Sequence, residues 1–316
     1  MLSSMSTITP PKLKFGQRIR VIFPSAKVKP CTEVVHNAVV SLENVGLDIS
    51  FSDPKATFPG NWAEDFNQAI MDPDIHGLLL ATGIDNDHQF RRIDYEAIMT
   101  NPKIIFGMAE APLLSLYLYQ KTGLINYYGP NLSMLGRCDL REECLRAMTE
   151  ILMVDATIRI FPSSYYGNGK YQIRKNEIWV IQEGMAEGKF MIVGNCTADI
   201  MALTFNGSYD YSGNIVFIDG NDFKDLQGLK NNIQMLINTK GGTNLNGLII
   251  GAIEGTGISP HQVKKIIYDN VCLAKIPVLA NVNFIKSDPK FTLPIGGVIR
   301  MNIKQNHHIK LDITEH

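Results

Sequence analysis

Between Arg18 and Thr122, short runs rich in Ile, Val and Leu alternate with helical stretches of about ten residues, and this alternation restricts the fold more than any other feature. Arg18-Ile-Arg-Val-Ile-Phe23 reads as a buried strand closed by Pro24-Ser25, and Glu33 to Val45 carries helical apolar spacing up to Gly46. The pattern repeats through a strand at Asp48 to Ser52, a helix at Ala63 to Met71, a strand at Gly77 to Ala81 and a helix at Asp94 to Met99. A strand at Lys103 to Phe106 and a Leu-rich helix at Pro112 to Thr122 complete it. Strands joined by helices lie parallel and are covered on both faces, so the expected class is α/β with a doubly wound, mainly parallel N-terminal sheet.

From Asn131 to about Glu177 the pattern weakens to one helix, Arg141 to Leu152, and a stretch rich in Ser, Tyr, Gly and Asn, which reads as a connection. A second block starts at Trp179-Val-Ile and contains strands near Lys189 to Val193, Asn214 to Ile218, Gly247 to Ile250, Val278 to Val282 and Gly297 to Ile303. Helices are expected at Ala198 to Thr204, Leu226 to Asn238 and Pro260 to Asn270. The expected organisation is therefore an N-terminal α/β domain over 1–150, a connecting segment over 151–177, and a β-rich mixed α/β domain over 178–316. A chain of 316 residues, 45% of them hydrophobic, has material for two such cores.

Thirty Lys and Arg against thirty-one Asp and Glu, with no basic run, argue against nucleic acid or an anionic membrane as partner. No apolar leader precedes the first strand and no stretch reaches the roughly 18 apolar residues of a membrane span, so the expected location is the cytoplasm. Cys31, Cys138, Cys144, Cys196 and Cys272 form an odd count with no CxxC spacing and read as reduced, structural thiols. His88 in the loop after the third strand reads as solvated or hydrogen-bonded, His261 as the start of a helix, and His307-His308 as part of a tail. No His pair has metal-ligand spacing with a supporting carboxylate, so no metal and no cofactor is expected. Gly241-Gly242 and Gly255-x-Gly257 lie outside any P-loop or dinucleotide fingerprint and read as turns.

Sites in doubly wound sheets form beyond the carboxyl ends of the strands. Two loops qualify: Thr82-Gly-Ile-Asp-Asn after the third strand, and Gly107-Met-Ala-Glu-Ala-Pro after the fourth. The second has the layout of a nucleophile elbow, a tight strand-to-helix turn presenting one side chain beside amides able to hold an oxyanion. The presented residue is Ala109, which has no nucleophilic atom.

The segment Asn101-Pro-Lys-Ile-Ile-Phe-Gly107 followed by Met-Ala-Glu resembles the "NPKIxxGYSD" segment of the microcin C self-immunity and LD-carboxypeptidase family of serine peptidases. Further matches fall in the family's order: Pro24-Ser25, Ala63-Glu-Asp-Phe-Asn67 with Asp72-Pro73, Thr122-Gly-Leu-Ile, Tyr128-Gly-Pro130, Glu183 to Lys189 with Gly194-Asn195, and Pro289 to Gly296. The resemblance runs from about residue 12 to 303 and is nearest to the microcin-immunity branch through Trp179 to Gly188. It implies a Ser-His-Glu triad in which His is the base and the carboxylate orients it. On this chain the Ser position carries Ala109, the Glu position Asp219 and the His position Lys286. The paired glycines of the third-strand loop, which contribute oxyanion amides in the family, appear as Gly83-Ile84, and the family Asp after the Ser as Glu110. The resemblance also implies a homodimer and aromatic ligand contacts at Tyr165 and Tyr166, which otherwise read as domain packing.

Lys286 reads as the structural partner of Asp219, Glu110 or Asp288; as a lowered-pKa base it lacks a nucleophile, since Ser287 or Ser115 would need another backbone geometry. Three functional readings stay open. One is a catalytically silent family member that keeps its cleft for a small peptide-like ligand or a partner. A second is an active serine carboxypeptidase or amidase cleaving peptidoglycan peptides or a peptidyl-nucleotide antibiotic. The third is a protein with a collapsed cleft and an assembly surface.

Overall fold

The structure, a computed structural model, describes residues 6–25, 31–51, 61–84, 87–108, 111–137, 141–160, 165–166, 174–175, 177–193, 209–218, 225–253, 256–284, 289–304 and 308–316. In chain order the first elements are β1 (Arg18–Ile22), α1 (Thr32–Asn44), β2 (Asp48–Phe51), α2 (Trp62–Met71), β3 (Ile75–Leu80), α3 (Tyr95–Thr100), β4 (Ile104–Phe106), α4 (Pro112–Thr122) and β5 (Asn126–Tyr128). Then come α5 (Leu132–Arg137), α6 (Arg141–Met153), β6 (Ile158–Ile160), β7 (Tyr165–Tyr166), β8 (Arg174–Lys175), β9 (Trp179–Gln182), β10 (Gly184–Val193) and β11 (Ile215–Ile218). The chain finishes with α7 (Leu226–Ile237), β12 (Gly247–Gly251), α8 (Pro260–Tyr268), β13 (Val278–Val282), β14 (Leu293–Ile295), β15 (Val298–Lys304) and β16 (His308–Glu315).

Contacts divide the chain into two units, the first comprising Met1–Ala156, Gly167–Gln172 and Ser287–Gly296, and the second Thr157–Tyr166, Ile173–Lys286 and Gly297–His316. The sheet of the first unit has the order β14-β5-β4-β3-β1-β2, all parallel except the antiparallel edge strand β14. The series 2-1-3-4-5 is doubly wound, with its strand order reversing between β1 and β3. Residues of β3 and β4 are buried almost without exception, as parallel strands covered on both faces require.

Local sequence accounts for the helix limits. Pro112 at the first helical position starts α4, where its missing N–H costs nothing, and Gly123 at φ 71° ends it. Asp94 caps α3 by accepting from the Ala97 amide at 2.9 Å, and Ser259 with Gln262 forms a capping box on α8.

The family-like segment Ala63 to Asn67 acts here as scaffold. Asp65, 5% exposed, pairs with Arg20 of β1 at 3.2 Å, and Arg20 also donates to the Ser50 hydroxyl of β2 at 3.1 Å. Asn67 donates to the Arg92 carbonyl at 2.8 Å and accepts from the Asp94 amide at 2.9 Å, tying α2 to the entry of α3.

Lys12 sets a pH dependence. Its ammonium donates to the Ile151 carbonyl at 2.8 Å and lies 5.8 Å from the centre of the buried Tyr127 ring. Burial lowers its pKa to about 8 from 10.5, against the opposing pull of Asp155. Between those values the unfolded chain holds the proton that the folded chain releases, so the unfavourable contribution of Lys12 is fully present below about pH 8 and fades as pH rises toward 10.5. With the screening expected of a half-buried amine, the effect is on the order of 1–2 kcal/mol. Lys12→Met is expected to remove the rise: chemical denaturation across pH 7–10 should give a wild-type minus variant difference that climbs with pH.

The sheet of the second unit has the order β6-β16-β15-β10-β11-β12-β13-β9. Its centre, β10-β11-β12-β13, is parallel, with α7 and α8 in the crossovers, and antiparallel strands flank it on both sides. β10 serves both parts: Gly184 to Lys189 pairs antiparallel with β15 and Phe190 to Val193 parallel with β11. The fold class is the α/β arrangement expected, with a mainly parallel first sheet and a mixed second one.

Two expectations are corrected. His308 opens an eight-residue strand, paired along its length with β15, where the sequence reads as a tail; alternation along Ile309, Leu311 and Ile313 carries the signal. Cys144 is disulfide-bonded, so the thiols are not all reduced; an odd count excludes only that all five are paired. Cys31 and Cys272 are free. His261 lies in α8 as expected, and Gly241, at φ 77°, lies in a turn; Gly257 has φ 74°, and Gly255 falls outside the described residues. The helix expected over 198–204 falls outside the described residues, and no described helix is long and apolar enough to cross a membrane.

Candidate active site

The carboxyl edge of the first sheet is built from the exits of β1, β3, β4 and β5. The β3 exit is clamped at both ends. The Ala81 amide donates to the Ile22 carbonyl at 2.8 Å, and the Ala81 carbonyl accepts from the Ser133 amide at 3.1 Å and the Ser133 hydroxyl at 3.0 Å. Downstream, a 3₁₀ turn over Asp87–Arg92 places Phe90 against Trp62 and Tyr117, with ring centres 6.1 and 5.5 Å apart. Gln89 accepts from the Ala63 amide at 3.2 Å. Between these clamps Gly83 and Ile84 stay partly exposed. The side chain of His88 lies outside the described residues.

The β4 exit turns sharply. Gly107 has φ 86°, and a Cβ there would lie 2.8 Å from Leu79 Cδ1 and 3.1 Å from both N and O of Leu80, so the bend requires glycine. The Ala111 amide closes the turn on the Met108 carbonyl at 2.9 Å, and α4 begins at Pro112. Strand, glycine turn and helix N-terminus are the parts of a nucleophile elbow. Met108 is wholly buried beneath it. Ala109 and Glu110, between the two ends of this turn, lie outside the described residues.

Ser115, a candidate substitute nucleophile, is removed by geometry. It is 1% exposed, its hydroxyl donates to the Asn126 Oδ1, and Asn126 returns a bond to the Ser115 carbonyl at 3.0 Å. This pair staples α4 to β5.

β14 brings a distant part of the chain to the same edge. Because it runs antiparallel, with Leu293 opposite Tyr128, the residues entering it arrive at the carboxyl end of β5, one strand from the elbow of β4. Gly129 is required there, since a Cβ would meet Thr292 Oγ1 at 2.9 Å. The family-like segments Tyr128-Gly-Pro130 and Pro289 to Gly296 are therefore two sides of one strand pairing. Lys286 and Ser287 lie outside the described residues.

In the second unit, β11, β12 and β13 end at one carboxyl edge. Asp219 follows directly on Ile218 of β11 and is outside the described residues, while Phe284 beyond β13 is buried against Phe217 at a ring separation of 5.4 Å. Tyr165 and Tyr166 pair with Lys175 and Arg174 in a short hairpin, and their side chains are outside the described residues. Among the described residues, no cluster of three or more metal-type side chains occurs.

A glycine-turned strand exit on a 2-1-3-4-5 sheet, followed by a mixed sheet with a parallel centre, defines a two-unit α/β scaffold. Residues 19–129 match the LD-carboxypeptidase N-terminal domain and residues 188–301 the LD-carboxypeptidase C-terminal domain. The chain belongs to the LD-carboxypeptidase family. It is 29% identical to the putative carboxypeptidase YocD of Bacillus subtilis (strain 168), with 92% of this chain and 94% of that protein covered. It is 27% identical to the microcin C7 self-immunity protein MccF of Escherichia coli, over 80% and 78% of the two chains. The solved MccF-like protein from Bacillus anthracis str. Ames superposes with a TM-score of 0.87 at 25% identity, covering 98% of this chain and 100% of that one.

Proposed function

We propose that this protein is a family member without serine-hydrolase activity, retaining the site as a binder of a small peptide-like or aminoacyl-nucleotide ligand. The observation that carries the reading is an elbow with its obligatory glycine in place and no nucleophile in its sequence. Ala109 holds the nucleophile position and Lys286 the base position, and Ser115 is locked into α4–β5 packing. Asp219 keeps a carboxylate in the orienting position. Loss of the nucleophile or base of a triad costs several orders of magnitude in rate, leaving binding and oxyanion terms. Gly83, Ile84 and Glu110 are the proposed ligand contacts beside the elbow, with Tyr165 and Tyr166 available for stacking.

Solved forms of MccF include complexes with aspartyl sulfamoyl adenosine and with adenosine monophosphate, which supply the probes. A ligand that binds only the folded form at 100 times its Kd stabilises by about 2.7 kcal/mol. Aspartyl sulfamoyl adenosine is expected to raise the melting temperature by several degrees while chromatography shows no release of aspartate. Steady release of aspartate, or of D-alanine from an LD-peptide, would establish the active-hydrolase alternative. The protein is further read as a homodimer in solution, which sedimentation at two concentrations reads directly.

A further inference from the structure

In the second unit β6, β16, β15 and the first half of β10 form an antiparallel half-sheet with one buried and one open face. Ile299, Met301 and Ile303 of β15 and Leu311 and Ile313 of β16 turn inward, and the residues between them turn outward. The register sets four charged residues of the open face in a single row across the strands. Arg159 lies opposite Asp312, Asp312 opposite Arg300, and Arg300 opposite Glu187.

Neighbours in the row are bonded. Arg159 grips Asp312 with Nε and Nη2, at 2.6 and 3.2 Å, and Nε and Nη2 of Arg300 reach one Glu187 oxygen at 2.7 and 2.6 Å. The hydrogen bond from Arg159, with the charges of Lys310 and Arg300 added, holds the Asp312 carboxyl below its usual range against the opposing effect of burial. The row is also accessible, since the side chains of Arg159, Arg300 and Glu187 are 44, 55 and 52% exposed. One step along β10, Met185 lies opposite Asn302 and is 77% exposed, an apolar side chain left in water.

The order of the charges gives the row a further property. With strands about 4.8 Å apart it is about 14 Å long, and it reads plus, minus, plus, minus. A second copy turned by 180° about an axis parallel to the strands presents the same row in reverse. Arg159 then faces the partner's Glu187, Asp312 faces the partner's Arg300, and each contact occurs twice, as an isologous interface requires. A row ordered plus, minus, minus, plus would set like on like. Because sheets twist, two such faces meet most closely near the axis and diverge away from it, so the central row decides the fit. Exposed ion pairs give a single chain little stability by themselves, whereas complementary charges across an interface fix its orientation and exclude wrong partners.

We infer that this row is the centre of a face on which a second copy of the chain docks about a two-fold axis, with Met185 at its flank. The inference rests on the homodimer reading above and is independent of any ligand.

Sedimentation equilibrium of the full chain tests it with Arg159→Glu, Glu187→Arg and the double variant, all changes at exposed positions, with thermal melts to show that each protein is folded. The dimer dissociation constant is expected to rise at least about 10-fold between about 50 and about 500 mM salt. Each single change should raise it at least about 10-fold at the lower salt, and the double variant should return to within about 3-fold of wild type. Within one chain the double variant sets a carboxylate beside Asp312 and a guanidinium beside Arg300, so a row that acts only inside the chain is made worse by it. Recovery therefore reports contact between copies. A wild type that stays monomeric at every concentration would overturn both the homodimer reading and this face. A dimer indifferent to both single changes, or a double variant no tighter than the singles, would remove this face and leave the homodimer standing on another surface.

Discussion

The triple variant Ala109→Ser, Lys286→His, Asp219→Glu is expected to hydrolyse aspartyl sulfamoyl adenosine or an LD-peptide at least about 100-fold faster than the parent protein. Nucleophile and base act as a unit, and a triad lacking either keeps only a small part of its rate enhancement. Single changes should therefore stay near the parent rate. The expectation depends on supports the structure retains: Gly107 turning β4 toward α4, the clamps at Ala81 and Phe90 around Gly83-Ile84, and the pairing of β14 with β5 at the same sheet edge. Release of aspartate followed over hours reads the outcome. A triple variant that binds the probe and turns over none would point to Ile84, whose Cβ restricts close approach to the backbone of this loop; Ile84→Gly added to the triple then tests that obstacle.

Gly107→Ala should destabilise the first unit by about 3 kcal/mol and abolish probe binding. A left-handed residue with a Cβ costs roughly 1–2 kcal/mol, and forcing extra volume into a packed site adds roughly 1–3. Here the added methyl would press on Leu79 Cδ1 at 2.8 Å and on the Leu80 backbone at 3.1 Å, and backbone in a central strand yields little. Gly16 supplies the control. It has a similar φ of 81° with nothing within 4 Å of an added Cβ, so Gly16→Ala should show the conformational cost alone, about 1 kcal/mol, and leave binding intact. Denaturant titration of the two variants separates the contributions; equal losses would mean that the elbow is looser than its contacts indicate.

Much of the scaffold was legible because its signals are local. Pro112 and Gly123 bound α4 at the limits read from the sequence, and the Ile- and Leu-rich runs mark β1, β3 and β4. Elements whose reason lies elsewhere in the chain were not legible. β5 and β14 are three residues each, and Pro294 inside β14 is tolerated because the strand is at an edge. The start of β10 alternates between exposed Met185 and Glu187 and their partly covered neighbours, so it reads as a polar motif instead of a strand. The site was legible as positions, through ordered resemblance, and its supports were not. Ser133 reaching Ala81 and Asn126 holding Ser115 both pair residues brought together by topology.

The strand pairing of β14 with β5 has a consequence for synthesis. Residues 126–128 leave the ribosome some 165 residues before their partners at 293–295 exist, and at ordinary elongation speed that gap lasts about 10 seconds or more. Throughout it the first sheet carries an open strand edge, the kind of surface that recruits foreign strands. The unit begun first is thus completed near the end of translation, and shortening the chain before residue 293 should compromise the N-terminal half as severely as the C-terminal one.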